Sequence, residues 1–105
     1  LDLPEEVRPT AVIFGNDNMA AGALRAARNR GLSVPEDLSV CGIDDSIAAQ
    51  ATDPRLTTMA LPMAEMGGLA IRELIHHMQD PAYRIPRTVL SCTLVPGRSI
   101  GPVHP

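Results

Sequence analysis

The segment Thr10-Ala-Val-Ile-Phe-Gly15, followed by Asn16-Asp17-Asn18 and then by Met19, Ala20, Ala23, Leu24 and Ala27, constrains the fold more than any other feature of the chain. The apolar run is short and rich in β-branched residues, which reads as a buried strand. Asn16 or Asp17 is placed to cap a helix, because a short side-chain oxygen accepts from the free amides of a first turn. The apolar residues beyond recur at helical spacing to about Arg30, with Arg25, Arg28 and Asn29 mostly off that face. Gly31 with Leu32 behind it supplies a left-handed stop, and Pro35 prevents continuation.

The alternation continues. Leu38 to Ile43 reads as a second strand, Ser46 to Ala51 as a short helix ended by Thr52-Asp53-Pro54, and Leu56 to Ala60 as a third strand. A long helix is expected from Pro62 to about Gln79, with Met63, Met66, Ala70, Ile71, Leu74, Ile75 and Met78 as its apolar stripe. Its Gly67-Gly68 pair costs roughly 1 kcal/mol per glycine relative to alanine, which suggests the close approach of a neighbouring backbone. Asp80-Pro81 stops the helix, and Thr88 to Val95 reads as a final strand. Strands alternating with helices predict an α/β fold: a Rossmann-like parallel sheet with flanking helices and right-handed crossovers, its strands buried on both sides.

Composition then narrows the function. At 105 residues, 45% hydrophobic and 20% charged, the chain has the makeup of one soluble globular domain. It begins at Leu1 without a basic leader, as expected of a piece of something longer, and no run approaches the roughly 18 apolar residues of a membrane span. A net charge of -3, no lysine, and only Phe14 and Tyr83 as aromatic residues leave neither a basic face for a nucleic-acid backbone nor a stacking platform for bases. Cys41 and Cys92 lie in apolar, strand-like runs and read as structural thiols in a reducing cytoplasm.

In a doubly wound sheet, ligands collect beyond the carboxyl ends of the strands. Asn16-Asp17 follows the first strand and Asp44-Asp45 the second, so neighbouring strands would set these groups side by side. The same residue types also cap helices and shape turns. A metal or phosphotransfer reading of Asp44-Asp45 lacks the lysine or further oxygen ligands that such a site uses. His76-His77 point to different sides of a helix, unlike the i, i+4 pair of a helical zinc site. No nucleophile with its base is recognisable, and "FGND" lacks the glycine spacing of a phosphate cradle. An enzyme is not indicated, and neither a cofactor nor a metal is expected.

The phrases "RPTAVIFGNDNMAAGALRAARNRGLSVPEDLSVCGIDDS", "DPRLTTMALPMAEMGGLAIRELI" and "LVPGRS" resemble, in order and spacing, the C-terminal part of the LacI/GalR family of bacterial transcription regulators. The resemblance runs from about Arg8 to Ser99. It implies a partial periplasmic-binding-protein-like type I effector domain, with residues 1–60 and 88–99 in the C-terminal subdomain and the 61–80 helix crossing to the N-terminal one. The DNA-binding helix-turn-helix would precede this chain, so operator DNA would be reached only through that absent segment.

The resemblance also assigns residues. It makes Asn16 and Asp44 hydrogen-bonding contacts to a sugar or related polar effector, adds Met63, at the bulky apolar position near the hinge, as a third ligand-binding residue, and leaves Asp45 and Ser46 to shape and cap the helix that follows. Leu61 departs from the glutamine that family members often carry. Ala20, Ala21, Leu24, Ala48, Ala49 and Ala51 become candidates for a homodimer interface. The implied protein is a cytoplasmic repressor without membrane association; the alternatives are an extracytoplasmic sugar-binding protein of a transporter and, from another class, an acid-cluster metal-dependent or phosphotransfer enzyme. The apolar stripe of a crossover helix without its own subdomain would need cover from a partner chain or a rearranged helix.

Overall fold

The structure, a computed structural model, describes residues 2–103. After a short 3-10 turn at Glu5–Val7, the elements run β1 (Ala11–Ile13), α1 (Asp17–Asn29), β2 (Ser39–Cys41), α2 (Ile47–Ala51), β3 (Thr58–Ala60), α3 (Met63–Gln79) and β4 (Thr93–Val95). They divide into two compact units: Leu1–Ala60 with Thr93–Pro105, and Leu61–Cys92.

In the first unit β1 and β2 are parallel, with Ala11 opposite Ser39, Val12 opposite Val40 and Ile13 opposite Cys41. A parallel bridge from Cys41 to Thr57 attaches the start of β3 to β2. The core lies where α1 and α2 cover one side of these strands: Ala20, Leu24, Ala27, Leu38, Val40, Ala49 and Leu56 are buried, with Val12 and Phe14 packed against them. Helical spacing gathers Ala20, Leu24 and Ala27 on one face of α1, and period-2 alternation turns Val12 and Val40 toward it. The helix ends as its glycine dictates. Gly31 has φ +70°, its amide donates to Arg28 O at 3.0 Å, and the Leu32 amide donates to Ala27 O at 3.0 Å, which together form a Schellman closure.

Two expectations change here. The first strand is covered on one side only: Ile13 is 75% exposed, and Ala11, Ile13 and Cys41 help line a concavity of about 330 Å³ on the opposite face. The last strand is shorter than predicted and pairs antiparallel with β3, Met59 opposite Leu94, while Thr88 to Cys92 belongs to the second unit and forms no strand. Beyond β4 the chain returns along β2. Ser99, fully buried, donates its hydroxyl to Val40 O at 2.5 Å and accepts from Thr57 N at 2.8 Å, while Val40 N donates to Ser99 O at 2.8 Å.

The second unit is α3 and the segment folded back beside it. None of the residues of α3 is buried, so the apolar stripe is left without full cover among the described residues. Met66, Leu69 and Leu74 instead form one wall of a groove of about 570 Å³, with Ile85, Pro86 and Leu90 among the residues opposite. Among the described residues nothing outside the helix's own backbone comes within 4 Å of a Cβ placed at Gly67 or Gly68, so the close backbone approach expected for that pair is not seen there. Tyr83 fastens the return segment. Its ring stacks on His76 at 3.8 Å between centroids, its carbonyl is 3.0 Å from His77 Nδ1, and its hydroxyl donates to Glu73 Oε2 at 2.7 Å. The bond to Glu73, ahead of desolvation and the carboxylate's charge, raises the phenol above its ordinary range.

Candidate functional site

The parallel pairing of β1 with β2 brings the two polar turns together at the carboxyl ends of the strands. Phe14 N donates to Cys41 O at 2.9 Å and Asp17 N to Ile43 O at 2.9 Å, so Asn16 and Asp44 each adjoin a residue of the second bond. Asn16 is the N-cap of α1, its Oδ1 accepting from Met19 N at 2.9 Å. With that oxygen engaged, its amide hydrogens are what remain for another partner.

Asp44 and Asp45 have φ 120° and 53°, the positive-φ residues other than glycine among the described part of the chain. Each costs on the order of 1–3 kcal/mol, and such strain persists only where surrounding structure imposes it. Here the Asp44 amide donates to Met59 O at 2.9 Å and the Asp45 amide to Thr58 Oγ1 at 3.3 Å. The Asp44 side chain is half-buried and makes no hydrogen bond or ion pair with the described residues. Neither carboxylate of the pair has a hydrogen-bond or ion-pair partner among the described residues, and both residues are held through their backbone amides.

Asp17 takes a different part from the capping one open to it in the sequence. It is 1% exposed, its Oδ1 accepts from Thr58 Oγ1 at 2.6 Å and its Oδ2 from Ser46 N at 2.7 Å. Gly42 makes room: a methyl group there would overlap Asp17 Oδ1 and lie 3.2 Å from Asp17 Cα. Ser46 occupies the N-cap position of α2 but makes no capping bond, and its buried Oγ has no partner, so the expected cap is absent. Sequence reasoning missed Gly42, Thr58 and the internal role of Asp17. The available signal was Thr57-Thr58, two hydroxyls opening a strand that is otherwise apolar.

The remaining candidates separate. Met63 opens α3 in the second unit and is exposed. Ala20, Leu24 and Ala49 are buried in the core of the first unit, at 0%, 7% and 1% exposure, which counts against their assignment to an interface because little of them is left to meet a second chain. Ala21 and Ala48 are half-buried and Ala51 is exposed. Among the described residues no three His, Cys, Asp or Glu side chains gather as a metal site, and no helix is long and apolar enough to cross a membrane.

Cys41 is partly buried, and desolvation, followed by the negative charge of Asp17, pushes its thiol above the ordinary range, while a backbone hydrogen bond with Gly42 opposes the shift. Cys92 is exposed rather than sheltered in a strand. Since the thiolate is the nucleophile, iodoacetamide at pH 8 should alkylate Cys92 well before Cys41. Peptide mass mapping over time checks this, and equal rates would contradict the environment described for Cys41.

A βαβ layer presenting an amide and a free carboxylate at adjacent strand ends has the build of an α/β ligand-binding domain. The chain belongs to the periplasmic binding protein-like domain family, whose match covers residues 1–100. Within it, the similarity is to LacI-type regulators. The ribose operon repressor of Haemophilus influenzae is 39% identical over 98 residues, covering 93% of this chain and 30% of that protein. The transcriptional regulator CelR in its cellobiose complex superimposes with a TM-score of 0.80 at 34% identity, over 86% of this chain and 28% of that one. The lac repressor dimer bound to operator and the anti-inducer ONPF gives 0.79 at 33% identity, over 91% and 33%. The chain thus spans about a third or less of each of these relatives.

Proposed function

We propose that this chain is the effector-binding and dimerisation part of a LacI-type transcription repressor that responds to a small hydroxylated ligand of the sugar class. The observation that carries the reading is the Asp44 carboxylate, without a partner among the described residues and held at φ 120° in the turn next to Asn16. An ionised carboxylate only accepts, and Asn16, with its oxygen engaged in the helix cap, offers only donors. A hydroxyl both donates and accepts, so a polyol satisfies the two groups together. The relatives fit this chemistry, one being named for ribose and another solved with cellobiose.

The first unit is then part of the C-terminal subdomain of a larger effector domain. Ala21, Ala48 and Ala51, with the exposed Ile47 and Met19 beside them in sequence, supply the apolar surface proposed for a second copy. The dimeric lac repressor on its operator supports that arrangement by analogy. DNA contact would come from a segment outside this chain, in a cytoplasmic protein. Regulation requires only that the ligand bind one of two states of the intact repressor more tightly, shifting the population toward weaker or stronger DNA binding.

Calorimetric titration of the full-length protein with ribose and with cellobiose tests the reading. Binding of one of them is expected, and Asp44→Asn, which tolerates positive φ but loses the charge and turns one acceptor oxygen into a donor, should weaken it about 10- to 100-fold, the worth of one or two charge-assisted hydrogen bonds. Unchanged affinity in the variant removes Asp44 from the site. Failure of both sugars to bind removes ribose and cellobiose as effectors of this protein.

A further inference from the structure

We infer that Asp17 is a positioning residue for Asp44: its buried carboxylate clamps the 43–46 turn in the strained form that presents the ligand-binding side chain. The inference takes its functional meaning from the reading of Asp44 given above, but the clamp itself is defined without any ligand. Three bonds from one residue bracket the strained pair. Asp17 N donates to Ile43 O on one side, and Asp17 Oδ2 accepts from Ser46 N on the other. Asp17 Oδ1 accepts from the Thr58 hydroxyl, and the Thr58 oxygen accepts in turn from the Asp45 amide. Asp44, between these points, is tied to β3 by its own amide through Met59 O.

The chemistry calls for a carboxylate. Both of its oxygens face donors, a backbone N–H and a hydroxyl, and an amide in the same place would turn an N–H toward one of them. Asp17, at 1% exposure, has no surface with which to touch a ligand, so its influence passes through the turn. The side chain of Asp44 gives the turn nothing in return, since it makes no bond to the described residues. The strain at Asp44 and Asp45 is therefore imposed from outside the pair, by Asp17 and by β3.

Native-state amide hydrogen exchange on the protein tests the clamp. Asp17→Asn should speed exchange at the Asp44, Asp45 and Ser46 amides roughly ten-fold or more by local opening, while Val40 and Leu24 exchange as before. Thr58→Val should do the same to a smaller degree, and Thr58→Ser, which keeps the hydroxyl, should restore the original rates. Unchanged turn amides in Asp17→Asn and Thr58→Val, or an even rise across the first unit, would overturn the proposal. If Asp17→Asn does not fold, the comparison of Thr58→Val with Thr58→Ser decides alone. Asp44→Asn separates the two readings: normal turn protection in a variant with unaltered sugar affinity would count against Asp44 as a ligand contact and leave the clamp standing.

Discussion

Replacing Gly97 by alanine should lower the stability of the chain by about 4 kcal/mol, toward the upper end of what overpacking and broken hydrogen bonds produce. A Cβ at this position would overlap Arg55 O and lie 2.5 Å from both the carbonyl carbon and the oxygen of Leu56. These are backbone atoms, so no rotamer change relieves the overlap. The segment would have to move away from β3, and its bonds would go with it: Gly97 N to Thr57 Oγ1 at 3.0 Å and Arg98 N to Arg55 O at 2.7 Å. Ser99 follows, leaving Val40 N and Thr57 N without acceptors in the interior. Urea denaturation followed by circular dichroism measures the effect. Gly22→Ala is the matched control, because nothing lies within 4 Å of its added methyl group on an exposed face of α1, and it should stabilise by up to about 1 kcal/mol. Equal midpoints for the two variants would show that the tail does not pack against Arg55 and Leu56 as described.

Gly42→Ala should cost about 3 kcal/mol, through overpacking and a displaced buried carboxylate. The clash is with a side chain, so the chain can yield by pushing Asp17 out of its place. That choice makes the variant informative beyond its stability. A displaced Asp17 releases Ser46 N and the Thr58 hydroxyl together, so both stability and the form of the 43–46 turn should suffer. For a domain of this size, each kcal/mol lowers the melting temperature by roughly 4–8 °C, which places the expected drop at about 12–24 °C. A differential scanning calorimetry shift of only a degree or two would mean that Asp17 does not occupy the space beneath Gly42.

The legible parts of the fold were those decided by neighbours in sequence. The stop at Gly31-Leu32 needs only a glycine at the right offset from the last helical turn, and the structure closes α1 there. Of the face that spacing marked on that helix, Ala20, Leu24 and Ala27 are buried and Ala23 is half-buried, whereas Met19 is exposed. What spacing could not settle was the identity of the surface that buries that face. Ala20, Leu24 and Ala49 suit a subunit interface and an internal core equally well, because small apolar side chains carry no mark of which they pack against.

At the site, the pairs Asn16-Asp17 and Asp44-Asp45 stood out from their place at strand ends and the family resemblance chose Asn16 and Asp44 among them, but the distant residues that hold the turns could not be read. Asp17 and Thr58 are 41 positions apart and meet only because β3 continues the layer begun by β2. Either Asn16 or Asp17 would serve as a helix cap on local grounds. The structure gives the cap to Asn16 and takes Asp17 inside. Similarly, Thr88 to Cys92 is apolar enough to extend a strand, yet only Thr93–Val95 has a partner in β3.

By itself, the sequence determined the order and type of the main elements, the stop of the first long helix, the two polar turns at strand ends and the family resemblance. Each depends on local propensity, periodicity or a run of residues in fixed order. Only the tertiary structure decided which carboxylate is buried and which has no partner, which alanines lie in the core, and which glycines have no room for a methyl group. Those outcomes depend on pairings between distant segments, where the free energy of a polar or apolar group is set by what surrounds it and not by what adjoins it in the chain.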